Sequence, residues 1–105
     1  LQIDARVVSA NTPGLATLDA GFKAMATDGG PPSIISGAPA GAPFHFMGDE
    51  HGLIVSGDQK IAIGDIVTLA APHCDPTVNL YDFYHVVRGD TLVDIWNVQG
   101  RGRSR

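Results

Sequence analysis

The run Ile66-Val67-Thr68-Leu69-Ala70-Ala71-Pro72-His73-Cys74-Asp75-Pro76-Thr77-Val78-Asn79 sets the terms for the rest of the chain. Its first five residues are apolar or β-branched, which suits a strand, and a proline stops them. Side chains along a strand point alternately to opposite faces. If the extended backbone continues, His73 and Asp75 share a face and Cys74 takes the other. Pro72 and Pro76 each fix their own φ and bias the preceding residue towards extended geometry. An imidazole and a carboxylate converging at a strand end are two ligands for a divalent cation. Two ligands do not by themselves define a metal site, and a strand end carrying a backbone-bonded histidine accounts for the same residues.

The same grammar, a short apolar run closed by glycine or proline, repeats in both directions. Residues 2–9 alternate, with Ile3, Ala5 and Val7 on one side. Asn11-Thr12-Pro13-Gly14 reads as a turn, and residues 15–19 as a second strand paired antiparallel with the first. Residues 44–47 and 53–55 form a hairpin around the tip Gly48-Asp49-Glu50-His51-Gly52. Residues 79–88 alternate with apolar side chains on both faces, which predicts a central strand. Gly89-Asp90 turns the chain into a last strand over 91–98. Residues 22–27 could make a helical turn, stopped by Asp28-Gly29-Gly30-Pro31-Pro32. Residues 33–42 are small and nearly uncharged and predict an irregular surface loop. The pattern predicts an all-β fold: an antiparallel β-sandwich or partly closed β-barrel of about eight short strands.

A chain of 105 residues makes one domain. Its net charge of −4 gives no basic footprint for nucleic acid. No apolar run approaches the ~20 residues of a membrane span, and the N-terminus lacks a signal peptide's charged and apolar regions. The single cysteine excludes an internal disulfide framework and fits a reducing, cytoplasmic setting. The basic residues 100–105 read as a frayed, solvated tail.

Four stretches carry a resemblance. Pro72-His73-Cys74-Asp75-Pro76-Thr77-Val78-Asn79, Leu18-Asp19-Ala20-Gly21-Phe22-Lys23-Ala24, Gly48-Asp49-Glu50-His51-Gly52 and the ending from Trp96 to Gly102 resemble the D-threonine aldolase and D-serine dehydratase family. These are pyridoxal-phosphate (PLP) enzymes of the alanine-racemase-like fold, fold type III, with an N-terminal barrel and a C-terminal β-domain. The resemblance covers nearly the whole chain and only that C-terminal domain. It implies that residues 1–105 are a single β-domain of a larger enzyme, whose PLP-binding barrel is absent from this chain. It also implies that His73 and Asp75 bind a divalent metal beside the PLP. Manganese is the first expectation, with magnesium, cobalt, calcium or zinc as alternatives. Dehydratase relatives have cysteine where Asp75 stands, and carboxylate suits harder cations than thiolate does. The resemblance therefore implies the aldolase branch: cleavage of D-β-hydroxy-α-amino acids to glycine and an aldehyde, with the metal polarising the β-hydroxyl. Expected partners are the N-terminal barrel, a second copy in a homodimer, and a small β-hydroxy amino acid. The isolated domain is expected to be inactive.

Glu50 and His51 match the family's Glu-His-Gly step and are expected at the site's periphery, orienting ligands or water; turn chemistry explains them equally well. Lys23 is not the Schiff-base lysine, because in the family that residue lies in the barrel. Cys74 is expected to point away from the metal as a small apolar side chain. His45 and His85 read as core or interface histidines, and Tyr84 and Trp96 as core aromatics. Two other functions stay open: a stand-alone, non-catalytic β-module, and a domain of a metal- and PLP-dependent dehydratase acting on D-serine or D-threo-3-hydroxyaspartate.

Overall fold

The computed structural model describes residues 1–103. Eight strands and one short helix follow in the order β1 (Gln2–Ser9), β2 (Leu15–Leu18), β3 (Ser33–Ser36), β4 (Phe44–Phe46), β5 (Gly52–Val55), β6 (Ile66–Ala70), α1 (Cys74–Val78), β7 (Phe83–Arg88) and β8 (Thr91–Asn97). Six strands form one antiparallel sheet in the order β3-β6-β1-β2-β5-β4, and β7 and β8 form a separate two-stranded ribbon. The all-β expectation holds, in its partly closed form.

The curl of the large sheet begins in β1. Residues Gln2 to Arg6 pair with β6, whereas Val7 and Ser9 pair with β2, with a register irregularity between them. An extra residue at such a step bends and twists the strand. The predicted alternation is observed: Ile3, Ala5 and Val7 are buried, and their neighbours face out. They meet Ala16 and Leu18 of β2, Ile54 of β5, and Val67 and Leu69 of β6 in one cluster closed by Phe44 and Met25. A sheet whose inward side chains all enter one cluster has to wrap around it. Leu18, Ile54, Val67 and Leu69 are fully buried, and burial of side chains this size contributes about 1.5–3 kcal/mol each.

Several expectations fail. Residues 33–36 are not loop but β3, an edge strand on β6, with Ile34 packed against the core. Of residues 22–27, where the sequence allows a helical turn, 22–24 make a turn closed by Ala24 N–H to Gly21 O at 3.0 Å, and 25–27 are irregular. The strand expected to continue from β6 stops at Ala70, and a five-residue helix follows from Cys74. Residues 79–82 are not strand, and β7 is not central: among the described residues it pairs only with β8. Trp96 is 56% exposed and Tyr84 half-buried, so neither is a core aromatic of this domain; His45 and His85 are exposed, which removes the core half of their reading and leaves the interface half. The stretch 100–103 is exposed but not frayed. Arg101 pairs with Asp82, and the Gly102 N–H donates to Asn79 Oδ1. Ser104 and Arg105 lie outside the described residues. Among the described residues, no helix is long and apolar enough to cross a membrane.

Candidate metal centre

The segment 21–30, between β2 and β3, joins the residues that sequence reading singled out. It begins with a close approach. A Cβ on Gly21 would lie 2.4–2.5 Å from Gly48 O, Asp49 O and His51 N. Only glycine lets the β4–β5 tip settle here, where Phe22 N–H donates to Gly48 O and Lys23 N–H to Asp49 O, both at 3.0 Å. Lys23 then pairs with Glu50. The bond and charge of Glu50 raise the lysine's pKa, and Lys23 in turn lowers that of Glu50. Further along, Ala24 O accepts from Tyr81 Oη–H at 2.7 Å, and Met25 anchors in the core. Ala26 N–H donates to Thr77 Oγ1 at 3.0 Å, and the same hydroxyl donates to His73 O at 2.6 Å.

His73 stands one residue before α1 with an extended backbone (φ −139°, ψ 113°). Its side chain is half-exposed, and Nδ1 lies 2.6 Å from Asp28 Oδ2. An ionised carboxylate only accepts, so Nδ1 carries the proton and the neutral ring keeps its lone pair on Nε2. The bond to Asp28 raises the pKa of His73, aided by the charges of Asp28 and Asp75; the same bond lowers that of Asp28.

Asp75 lies in the first turn of α1, where Oδ1 accepts from Cys74 Sγ–H at 3.0 Å. This corrects the strand-based argument. His73 is extended and Asp75 helical, so alternation does not set their directions, and Cys74 is exposed beside Asp75 rather than turned into the core. The bond to Asp75 raises the pKa of Cys74 and keeps its thiol protonated. Pro76 misled because its bias towards extended geometry in the preceding residue lost to the first turn of a helix, where a missing N–H costs nothing.

Among the described residues, no three His, Cys, Asp or Glu side chains gather as a ready cation cage. The donors that can serve a cation are His73 Nε2 and the Asp75 carboxylate, both exposed, with the negative charge of Asp75 felt at His73. Imidazole plus carboxylate is a donor set that fits a divalent cation whose remaining positions are filled by water or substrate. Glu50 lines a cleft of about 210 Å³ with Lys23, Asp49 and Tyr81 that does not include His73 or Asp75, and the His51 backbone packs against Gly21. A larger open groove of about 660 Å³ beside Asn79, Asp82 and Arg101 does not include the metal-ligand candidates. The residue that sequence reading missed is Asp28, 45 positions from His73 and set among glycines and prolines that read as a plain stop.

Residues 1–87 match the family model described as a putative serine dehydratase domain. The chain belongs to this family. Within the putative serine dehydratase family it is 40% identical over 103 residues to a D-threonine aldolase from an Arthrobacter species, covering 96% of this chain and 27% of that protein. It is 35% identical over 98 residues to a 3-hydroxy-D-aspartate aldolase from Paracoccus denitrificans strain Pd 1222, covering 93% of this chain and 25% of that protein. The crystal structure of a D-threonine aldolase from Filomicrobium marinum superimposes with a TM-score of 0.88 at 34% identity, over 97% of this chain and 28% of the other. A metal-free mutant of a D-threo-3-hydroxyaspartate dehydratase shares the fold, with a TM-score of 0.72 at 19% identity over 91% of this chain and 31% of the other. The chain thus spans about a quarter of the length of the curated relatives it matches.

Proposed function

We propose that this chain is the C-terminal, metal-binding domain of a PLP-dependent lyase resembling D-threonine aldolase. The parent enzyme cleaves D-β-hydroxy-α-amino acids to glycine and an aldehyde. The observation that carries the reading is the match of nearly the whole chain to two relatives named as aldolases. The donor set, an imidazole and a carboxylate two residues apart, supports it. When bound, PLP on the barrel supplies an electron sink and the cation supplies Lewis acidity at the β-hydroxyl.

The work of this chain is positioning. His73 offers Nε2 and Asp75 a carboxylate at the start of a helix that Thr77 ties to segment 21–30. Both face solvent, so water or a substrate hydroxyl can complete the cation's shell. Glu50 and His51 are assigned to the periphery of the assembled site, with Lys23 holding Glu50 in place. Lys23 is not assigned to PLP. The proposed setting is cytoplasmic, and the proposed assembly is a homodimer in which this domain covers the barrel.

The test is a manganese titration of the full-length protein with D-threonine as substrate and glycine as the product assayed. His73→Ala and Asp75→Ala should each abolish metal-dependent turnover and leave the PLP absorbance intact. Release of a keto acid and ammonia in place of glycine and aldehyde would make the enzyme a dehydratase. Unchanged metal dependence in both variants would remove this domain from the metal site.

A further inference from the structure

We infer that Asp28 is the positioning residue of His73: it holds Nδ1–H and so turns Nε2 outward to take a divalent cation beside Asp75. The inference rests on the proposed metal reading and deepens it.

Geometry carries it. The two ring nitrogens of a histidine lie on opposite sides of the imidazole, so a partner fixed on one decides where the other points. The Asp28 Oδ2 to His73 Nδ1 distance is 2.6 Å, short for a nitrogen–oxygen bond and suited to a charge-assisted one. The partner is itself held. Its loop is clipped to the His73 segment through the fully buried Thr77, which accepts from Ala26 N–H and donates to His73 O. One residue past Asp28, Gly29 lies so close to Pro72 that a Cβ there would sit 3.0 Å from the proline's Cβ. Asp28 therefore approaches His73 between two fixed points, Ala26 on Thr77 and Gly29 on Pro72.

A carboxylate behind a ligating imidazole fixes its tautomer and raises its basicity, and losing such a partner typically costs about 10–100-fold in metal affinity. The Asp28 side chain is 61% exposed and the clip between its loop and the His73 segment runs through Thr77, so the bond to His73 is not what closes the loop.

The experiment uses the full-length protein and two readouts. Manganese affinity is measured by calorimetry for wild type, Asp28→Asn, Asp28→Glu and His73→Ala, with the PLP absorbance and melting temperature as folding controls. The nitrogen chemical shifts of His73 are read with and without zinc, a diamagnetic probe. Asp28→Asn is expected to bind manganese about 10–100-fold more weakly, and Asp28→Glu to recover part of that loss. The wild type should show Nδ1 protonated and, with zinc, metal on Nε2. If His73→Ala loses manganese while Asp28→Asn binds as wild type does, the positioning role is wrong and the metal reading survives. If His73→Ala also binds normally, the metal reading itself fails. Should Asp28→Asn not fold, the wild-type spectra decide alone: metal on Nδ1, or a metal-free ring protonated on Nε2, overturns the inference.

Discussion

Thr77 shows how one side chain can hold a site it does not belong to. It is fully buried, and its hydroxyl serves two backbone groups from chain segments about fifty residues apart. Thr77→Val keeps the shape and removes both hydroxyl bonds, leaving Ala26 N–H without a partner, while His73 O keeps the first backbone bond of α1. An unsatisfied buried polar group costs about 1–3 kcal/mol, so Thr77→Val should destabilise by that order in denaturant titrations. Thr77→Ser should come close to wild type. Gly21→Ala acts by overpacking, because its Cβ would meet three backbone atoms of the β4–β5 tip that have no rotamer to change. A loss of about 1–3 kcal/mol is expected, with raised hydrogen exchange at Lys23 marking the displaced tip. The His73–Asp28 pair adds a pH dependence in the metal-free protein. The raised pKa of His73 gives stability that is fully present below about pH 6.5, its unfolded value, and is lost as pH rises through the folded value. The lowered pKa of Asp28 gives stability present above about pH 4 and lost as pH falls through its folded value. Melting curves in EDTA should therefore show the gap between wild type and Asp28→Asn widest near pH 5 and narrowing in alkali. The gap should also shrink with salt, because both groups are well exposed. A gap that grows from pH 5 to pH 9 would contradict this pairing.

At the scale of elements, what could be read in the sequence follows how each element earns its stability. β1, β2, β5 and β6 alternate because one face enters the core, and alternation is visible in a string of letters. The β4–β5 and β7–β8 hairpins show in their turn residues as well. β3 was not legible, because Ser33-Ile34-Ile35-Ser36 offers too short an apolar run among glycines and prolines. Its strand character comes from the open edge of β6. Helix α1 was hidden by Pro76, whose extended bias on Asp75 is outweighed once Thr77 is pinned to Ala26 and His73. The candidate donors were visible as letters, His73 and Asp75, but their arrangement was not. Asp28 reaches His73 only through folding, and no local spacing encodes a contact across 45 residues.

At the scale of the whole molecule, the β7–β8 ribbon is the part that this domain alone does not explain. Phe83, Val87, Leu92 and Ile95 lie on one face of it, each more than half exposed. A lone two-stranded hairpin is marginal in water, and four large apolar side chains side by side mark a surface built to be covered. Under the proposed function the occupant is the barrel of the parent enzyme, and the curated relatives this chain matches are about four times its length. Hydrogen exchange can compare the ribbon in two settings, the full-length protein and a fragment of residues 1–105. The amides of β7 and β8 should exchange slowly in the full-length protein and orders of magnitude faster in the fragment, while β1 and β6 stay protected in both. The uncovered face should also make the fragment self-associate at micromolar concentration in sedimentation. Ile95→Asp should suppress that association and, in the full-length protein, loosen the ribbon without disturbing the large sheet. Equal, rapid exchange of the ribbon in both settings would mean that nothing covers it, and would favour a stand-alone β-module over a domain docked on a barrel.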